Sequence, residues 1–263
     1  MEVISGTHNK LLKLYKSLRT KKWRDRLGLV PLEGRRLVAE VLQRGIRPEF
    51  LLLAAGKEEE ILSQLPVLPA GVPLYAVEAR LFARTAFTES PQDIMAVVKK
   101  PVWTEKALFP QEPALLLVAD RIQDPGNLGT MLRSAAAAGA GGAILLPGTV
   151  DPSNPKALRS SMGAFFALPV VEMTFAGLQA FLTKQKIALA VAGVGSGLMY
   201  DEFDWRKPVA VVIGNEGSGV SPEVAGAAEA TVSIPMACEI ESLNAAVAMS
   251  VLFFEAARQR RRR

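Results

Sequence analysis

Between Asp124 and Asp151 the chain carries a single charged residue, Arg133. It follows the polar loop Asp120-Arg121-Ile122-Gln123-Asp124-Pro125-Gly126-Asn127, which leaves an apolar strand-like run and turns at Pro125-Gly126. Asn127 is expected to cap the helix that follows. On that helix Arg133 shares a face with Gly129 and Thr130. Helical side chains lean toward the N-terminus, so its guanidinium is expected to reach back toward the loop. A guanidinium among small and apolar neighbours needs an anionic partner. That partner is either a local carboxylate, such as Asp120 or Asp124, or an anion brought by a ligand; both readings stay open.

Two later loops carry the remaining polar groups of interest. Gly214-Asn215-Glu216-Gly217-Ser218-Gly219 follows the apolar run 209–213. Glu216, among glycines at a strand end, is expected to accept backbone N–H groups or to pair with Arg133. No Gly-Lys-Ser/Thr follows, so a phosphate-cradling P-loop is not supported. Ser221 and Pro222 then signal a short helix. The strand-like run 230–234 leads through Pro235-Met236 to Glu241-Ser242-Leu243-Asn244, just ahead of a long apolar helix. At least one of Ser242 and Asn244 is expected to cap that helix. A further turn, Gly193-Val194-Gly195-Ser196-Gly197, hints at a dinucleotide fingerprint, but Leu198 stands where the third glycine belongs, which weighs against a nucleotide-dependent oxidoreductase. Loops at successive strand ends converge on one edge of a parallel sheet, where open α/β sheets bind ligands. They define a cofactor pocket.

The elements that would hold these loops alternate. Strands are expected at 114–120, 143–146, 168–171, 187–192, 209–213 and 230–234, with helices near 128–138, 156–166, 175–185 and 222–228 and from 244 onward. Strands this apolar are covered on both faces, which implies a doubly wound parallel sheet. The final helix is apolar nearly all round for three turns and is expected to be buried, in the core or against a second copy. Ahead of a proline-punctuated boundary (Pro101, Pro110, Pro113) lies a smaller α/β module. It has a basic amphipathic helix at 5–18, a strand or turn and a helix stopped by Gly45, and strands at 50–54, 74–77 and 94–98. Helices are expected there at 58–65 and from 78. The domains are therefore 1–105 and 113–263.

Composition narrows the chemistry. Of 263 residues 49% are hydrophobic, enough for sizeable cores, and the net charge is +5. Ten Lys/Arg face only Asp25 and Glu33 between Lys10 and Arg36, and arginines close the chain, a pattern that suits a polyanionic partner. A single cysteine, Cys238, and a single histidine, His8, argue against a disulfide framework, a metal site or a histidine-based triad. No signal peptide or membrane span is evident, so a cytoplasmic location is expected.

Three stretches in this order, Asn127-Leu128-Gly129-Thr130-Met131-Leu132-Arg133, Ile213-Gly214-Asn215-Glu216-Gly217-Ser218-Gly219, and Ser233-Ile234-Pro235-Met236 with Glu241-Ser242-Leu243-Asn244-Ala245-Ala246-Val247-Ala248, resemble the SpoU/TrmH family of SPOUT RNA methyltransferases. The resemblance spans 113–258. It reaches less sharply to Leu32-Glu33-Gly34-Arg35-Arg36-Leu37-Val38, which looks like the start of the family's RNA-binding domain, and to Ser161-Met162-Gly163-Ala164-Phe165-Phe166. It implies methyl transfer from S-adenosylmethionine to a ribose 2′-oxygen of RNA, a C-terminal trefoil knot, and a homodimer whose active site draws on both subunits. By position it implies cofactor contacts at Gly193, Gly214, Ile234, Met236 and Leu243. It makes Arg133 the catalytic arginine, with Asn127, Glu216, Ser242 and Asn244 orienting it, the ribose and the loops. No metal is implied. The front domain favours rRNA over tRNA; a tRNA enzyme, or an inactive RNA-binding protein of the same fold, is the alternative.

Overall fold

The computed structural model describes residues 1–108, 112–193, 197–237 and 242–261. In the front part the elements are β1 (Glu2–Ile4), α1 (Lys10–Ser17), α2 (Lys21–Leu27), β2 (Leu29–Glu33), α3 (Arg35–Gln43), β3 (Phe50–Ala54), α4 (Glu58–Ser63), β4 (Leu74–Val77), α5 (Ala79–Thr85) and β5 (Ile94–Lys99). Then come β6 (Leu115–Ala119), α6 (Pro125–Ala137), β7 (Gly142–Leu145), α7 (Pro155–Ser161), β8 (Val170–Glu172) and α8 (Phe175–Gln185). The last are β9 (Ala188–Gly193), β10 (Leu198–Met199), β11 (Val209–Ile213), α9 (Pro222–Ala227), β12 (Ala230–Ser233) and α10 (Ala245–Arg261).

Two compact units result. The first comprises Met1–Val102 with Asp151–Gly163, the second Trp103–Val150 with Ala164–Arg263. Chain order alone would leave 151–163 in the second.

The first unit is built on a mixed five-stranded sheet in the order β1-β4-β3-β5-β2. Its core gathers Leu12, Tyr15 and Leu18 of the α1 region under Phe50, Leu52, Val77, Phe82, Met95 and Val97. The first helix starts at Lys10, later than periodicity suggested, because Asn9 caps it by accepting from Leu11 N at 2.8 Å. Residues before it form the edge strand β1, parallel to β4. The helix α2 carries too many charges for an apolar stripe to show in the sequence. It is anchored instead by Arg24, 2% exposed, whose guanidinium donates to the Leu18 and Arg19 carbonyls at 2.7 and 2.8 Å and to Ser153 Oγ at 3.0 Å. The same guanidinium forms an ion pair with Asp151. Burial alone would raise the Asp151 carboxyl, but hydrogen bonds from Arg24 and Ser153 outweigh it and hold the group below the usual carboxylate range.

The second unit holds a seven-stranded sheet, β10-β12-β9-β11-β6-β7-β8, with every pairing parallel. Alternate residues of each central strand feed opposite cores. Leu115, Leu117, Val209, Val211 and Ile213 pack with Leu128, Met131 and Leu132 of α6 and with Met249, Leu252 and Phe253 of α10. Leu116, Val118, Ala210 and Val212 pack instead with Leu178, Phe181 and Leu182 of α8 and Val224 of α9. That two-sided burial is why the strands read as continuous apolar runs. The edge strand β10, only two residues long, gave no sequence signal. Among the described residues no helix is long and apolar enough to cross a membrane.

Candidate functional site

The neighbouring strands β12, β9 and β11 end side by side, and their C-terminal loops enclose a cavity of about 430 Å³. Gly193, Gly214, Ile234, Met236 and Leu243 all line it, as do Glu216, Ser242 and Asn244. Its walls are mixed. Ile213, Val232, Ile234, Met236, Leu243 and Leu252 provide apolar surface, and the loop around Gly214 provides backbone edges and one carboxylate. Of the glycine turn after β9, residues 194–196 lie outside the described residues.

Gly214 admits no side chain. A Cβ there would stand 2.3 Å from both the Gly219 carbonyl carbon and the Val220 nitrogen. The loop folds back on itself at this point, with Asn215 and Gly219 exchanging backbone hydrogen bonds at 3.0 and 2.9 Å. Asn215 locks that shape: its Oδ1 accepts from Gly217 N, Ser218 N and Ser218 Oγ at 3.0, 3.0 and 3.1 Å. Its Nδ2 donates to the Arg121 carbonyl at 3.0 Å, tying this loop to the one after β6. An asparagine inside a glycine-rich turn is the sequence signal for this role.

Asn127 is not the N-cap of α6. Asp124 takes that place, its side chain accepting from Asn127 N at 2.9 Å, and Pro125 occupies the first helical position. Proline has no N–H to satisfy and its fixed φ suits a helix start, so the helix begins earlier than periodicity indicates. The amide side chain of Asn127 is thereby released for other partners. Its Nδ2 donates to Glu216 Oε1 at 2.8 Å, and its Oδ1 accepts from Asn244 Nδ2 at 3.0 Å. Asn244 also caps α10, its Oδ1 accepting from Ala246 N at 3.0 Å and Val247 N at 3.3 Å. One chain of hydrogen bonds, Glu216–Asn127–Asn244, thus joins the loops after β6, β11 and β12. Ser242 stands exposed at the cavity without a hydrogen bond among the described residues.

Arg133 lies apart from this chain. It is exposed on α6, outside the cavity lining, and forms neither hydrogen bond nor ion pair among the described residues. The expected pairing with Glu216 is absent, because that carboxylate is engaged by Asn127 two helical turns earlier. Nor does a local carboxylate neutralise it: Asp120 accepts from Ser221 N at 2.6 Å and faces Arg121, while Asp124 serves as the helix cap. The charge is left for a group outside the described chain. Among the described residues no cluster of metal-ligating side chains forms.

Residues 114–254 match the SpoU rRNA Methylase family, and residues 9–96 match the MRM3-like substrate binding domain. The 23S rRNA (guanosine(2553)-2′-O)-methyltransferase RlmP of Bacillus subtilis is 34% identical over 256 residues, covering 97% of this chain and 98% of that protein. Human mitochondrial rRNA methyltransferase 3 is 32% identical over 302 residues, 94% of this chain and 71% of that protein. The crystal structure of the SpoU methyltransferase AviRb from Streptomyces viridochromogenes, solved with the cofactor AdoMet, superposes with a TM-score of 0.82 at 29% identity, covering 96% of this chain and 98% of that one.

Proposed function

The chain belongs to the SpoU rRNA methylase family, and from that premise we propose that it transfers a methyl group from S-adenosylmethionine to a ribose 2′-hydroxyl of large-subunit rRNA. The observation that carries this reading is the Glu216–Asn127–Asn244 hydrogen-bond chain at the mouth of a cavity cradled by Gly214. The cavity suits the cofactor's chemistry. Apolar side chains offer a slot for a flat base, exposed backbone edges offer partners for its heteroatoms, and the absence of a Cβ at Gly214 keeps the backbone close. Gly193, Gly214, Ile234, Met236 and Leu243 would hold it. When bound, it supplies the methyl group as an electrophilic sulfonium.

The protein's share is positioning and charge. Fixing a nucleophile in line with its target can supply roughly 7–11 kcal/mol of barrier reduction. Asn127 holds Glu216 and Asn244 in one arrangement, so the ribose meets a prepared surface. A guanidinium with a pKa above about 12 is a poor base. Arg133 is therefore an electrostatic partner for the developing alkoxide or the neighbouring phosphate. Its freedom from local carboxylates supports that role.

The reading extends to a homodimer. Val247 and Phe254, seven residues apart and so on one face of α10, are 50% and 47% exposed, as a covered helix face in a dimer would require. Arg133 does not line its own cavity, which fits a site completed by the partner subunit's Arg133. We also propose the trefoil knot at the C-terminus, a reading that rests on membership of the family.

The test is incubation of the protein with tritiated S-adenosylmethionine and separate pools of rRNA and tRNA, beside an Arg133→Ala variant. Label in rRNA, alkali-resistant at one linkage and lost in the variant, is expected. Label confined to tRNA would overturn the substrate class, and absence of cofactor binding would overturn the reaction.

A further inference from the structure

We infer that Arg121 is a positioning residue for the cofactor loop 214–219, holding that loop in shape from the neighbouring one; the inference rests on the RNA methylation reading above. The starting observation is its backbone. Arg121 has a φ of 56°, in the left-handed region that long side chains seldom adopt. Among the described residues Met162 and Lys186 share this conformation, but they cap the C-terminal ends of α7 and α8, where it is ordinary. Asp93 shares it too and is of a type that tolerates it. Neither reason applies to Arg121, which lies in the loop between β6 and α6. Strain of this kind persists where surrounding contacts over-determine the conformation, and it gathers at functional sites.

The contacts that hold Arg121 run to the loops on either side of it. Its carbonyl accepts from Asn215 Nδ2 at 3.0 Å. Its Nη2 donates at 3.2 Å to the carbonyl of Gly219, at the far end of the same loop. Its stem lies against Gly148, where an added Cβ would stand 3.1 Å from Arg121 Cγ. Its Nε faces Asp120 Oδ1 at 3.4 Å, and Asp120 Oδ2 in turn accepts from Ser221 N at 2.6 Å, just beyond the loop. The segment 120–121 therefore grips the cofactor loop at both ends. All these residues belong to the second unit.

The grip bears on the cavity through Gly214. That residue lines the cavity and packs so closely on the Gly219 carbonyl that an added Cβ would stand 2.6 Å from its oxygen. The same oxygen is the one that Arg121 holds. Arg121 itself does not line the cavity, so it acts on the cofactor only through the position of this backbone. A guanidinium suits the task because one planar group can face a carboxylate and a carbonyl at once. With its side chain 36% exposed, its bond to Gly219 lies at the weak end of charge-assisted hydrogen bonds. An RNA phosphate is the rival partner for a half-exposed cation beside this loop, and the test separates the two.

The test compares wild type with Arg121→Met, which keeps the apolar stem against Gly148 but removes the donor and the charge, and with Arg121→Lys. Steady-state methylation of a large-subunit rRNA transcript gives kcat and both KM values, and calorimetry gives the affinity for S-adenosylmethionine. Arg121→Met is expected to weaken cofactor affinity and raise the cofactor KM roughly tenfold, the effect of losing one hydrogen bond to a charged group. The kcat at saturating cofactor and the KM for rRNA should stay within about twofold of wild type, because only cofactor binding is weakened. Arg121→Lys, which restores a charged donor, should bring the affinity back to within about threefold of wild type. A raised KM for rRNA with unchanged cofactor affinity would make Arg121 an RNA contact and overturn the inference. Unchanged kinetic constants with a lowered melting temperature would make it a structural residue only, and overturn it equally. Should Arg121→Met fail to fold, Arg121→Gly decides on the same constants, since glycine adopts this φ freely. Failure of wild type to bind S-adenosylmethionine would overturn the methylation reading and this inference together; normal binding by every variant overturns the inference alone.

Discussion

Replacing Gly214 by alanine tests whether the cavity is shaped by backbone packing. The added Cβ would lie 2.3 Å from Gly219 C and Val220 N and 2.6 Å from Gly219 O. Ordinary contacts between non-bonded heavy atoms are about 3.5 Å or more, so part of the loop must retreat by over 1 Å. The obstructing atoms are backbone, held by the Asn215–Gly219 pair and by the three bonds to Asn215 Oδ1. No flexible side chain can turn aside. Overpacking of this kind costs about 1–3 kcal/mol. If the strain is relieved only in the cofactor-free loop, affinity for S-adenosylmethionine falls roughly 5- to 150-fold. Gly217→Ala, in the same loop, is the comparison: its Cβ would meet only Asn215 Oδ1, at 3.7 Å, an ordinary contact. It should stay within about threefold of wild type, ~0.6 kcal/mol. Isothermal titration calorimetry of both variants, with thermal melts to confirm folding, gives the answer. Equal affinities for wild type and Gly214→Ala would refute the reasoning, because the cavity would then not depend on this close approach.

Arg133→Ala should reduce single-turnover methylation about 10²–10³-fold while leaving cofactor affinity unchanged; a parallel loss of cofactor binding would show that the arginine acts on the cavity and not on the reacting oxygen. Asp151→Asn should lower unfolding free energy by about 3–5 kcal/mol, since Arg24 and Asp151 have side chains only 2% and 8% exposed and the lone cation would stay buried. Because the folded Asp151 pKa is depressed, wild type has this stabilisation in full above the unfolded carboxylate value of about 3.9 and loses it as pH falls through the lower folded value. Acid melts of the two proteins should therefore converge only below about pH 4, and a constant gap down to pH 2 would contradict the linkage. Phe254→Asp should convert a dimer to monomers in sedimentation velocity, and a monomeric wild type would dismiss the proposed α10 interface.

The sequence determined a great deal of this protein by local means. The run at 209–213 is apolar at every position and so needs cover on both faces, which made a buried parallel strand legible, while 230–234 interleaves Thr231 and Ser233 with its apolar residues; the two runs place Gly214 and Ile234 at one sheet edge. Asn244, just ahead of a long apolar helix, was legible as a cap because capping is decided within one turn. The meeting of Asn127, Glu216 and Asn244 was legible through three motifs in order, whereas Arg133 lies outside the cavity lining and Ser242 lines the cavity without joining the hydrogen-bond chain. What joins to what was not. The Asp124-Pro125 start of α6 is local, but the link that Asn127 then makes between Glu216 and Asn244 depends on partners 89 and 117 residues away. The isolation of Arg133 among the described residues is equally nonlocal, since Asp120, Asp124 and Glu216 have each found another partner. Likewise α2, too charged to show a helical stripe, owes its place to the packing of Arg24 against Asp151 and Ser153. Periodicity records which face of an element is buried; only the assembled structure decides which polar groups are left over, and those are the ones that do chemistry.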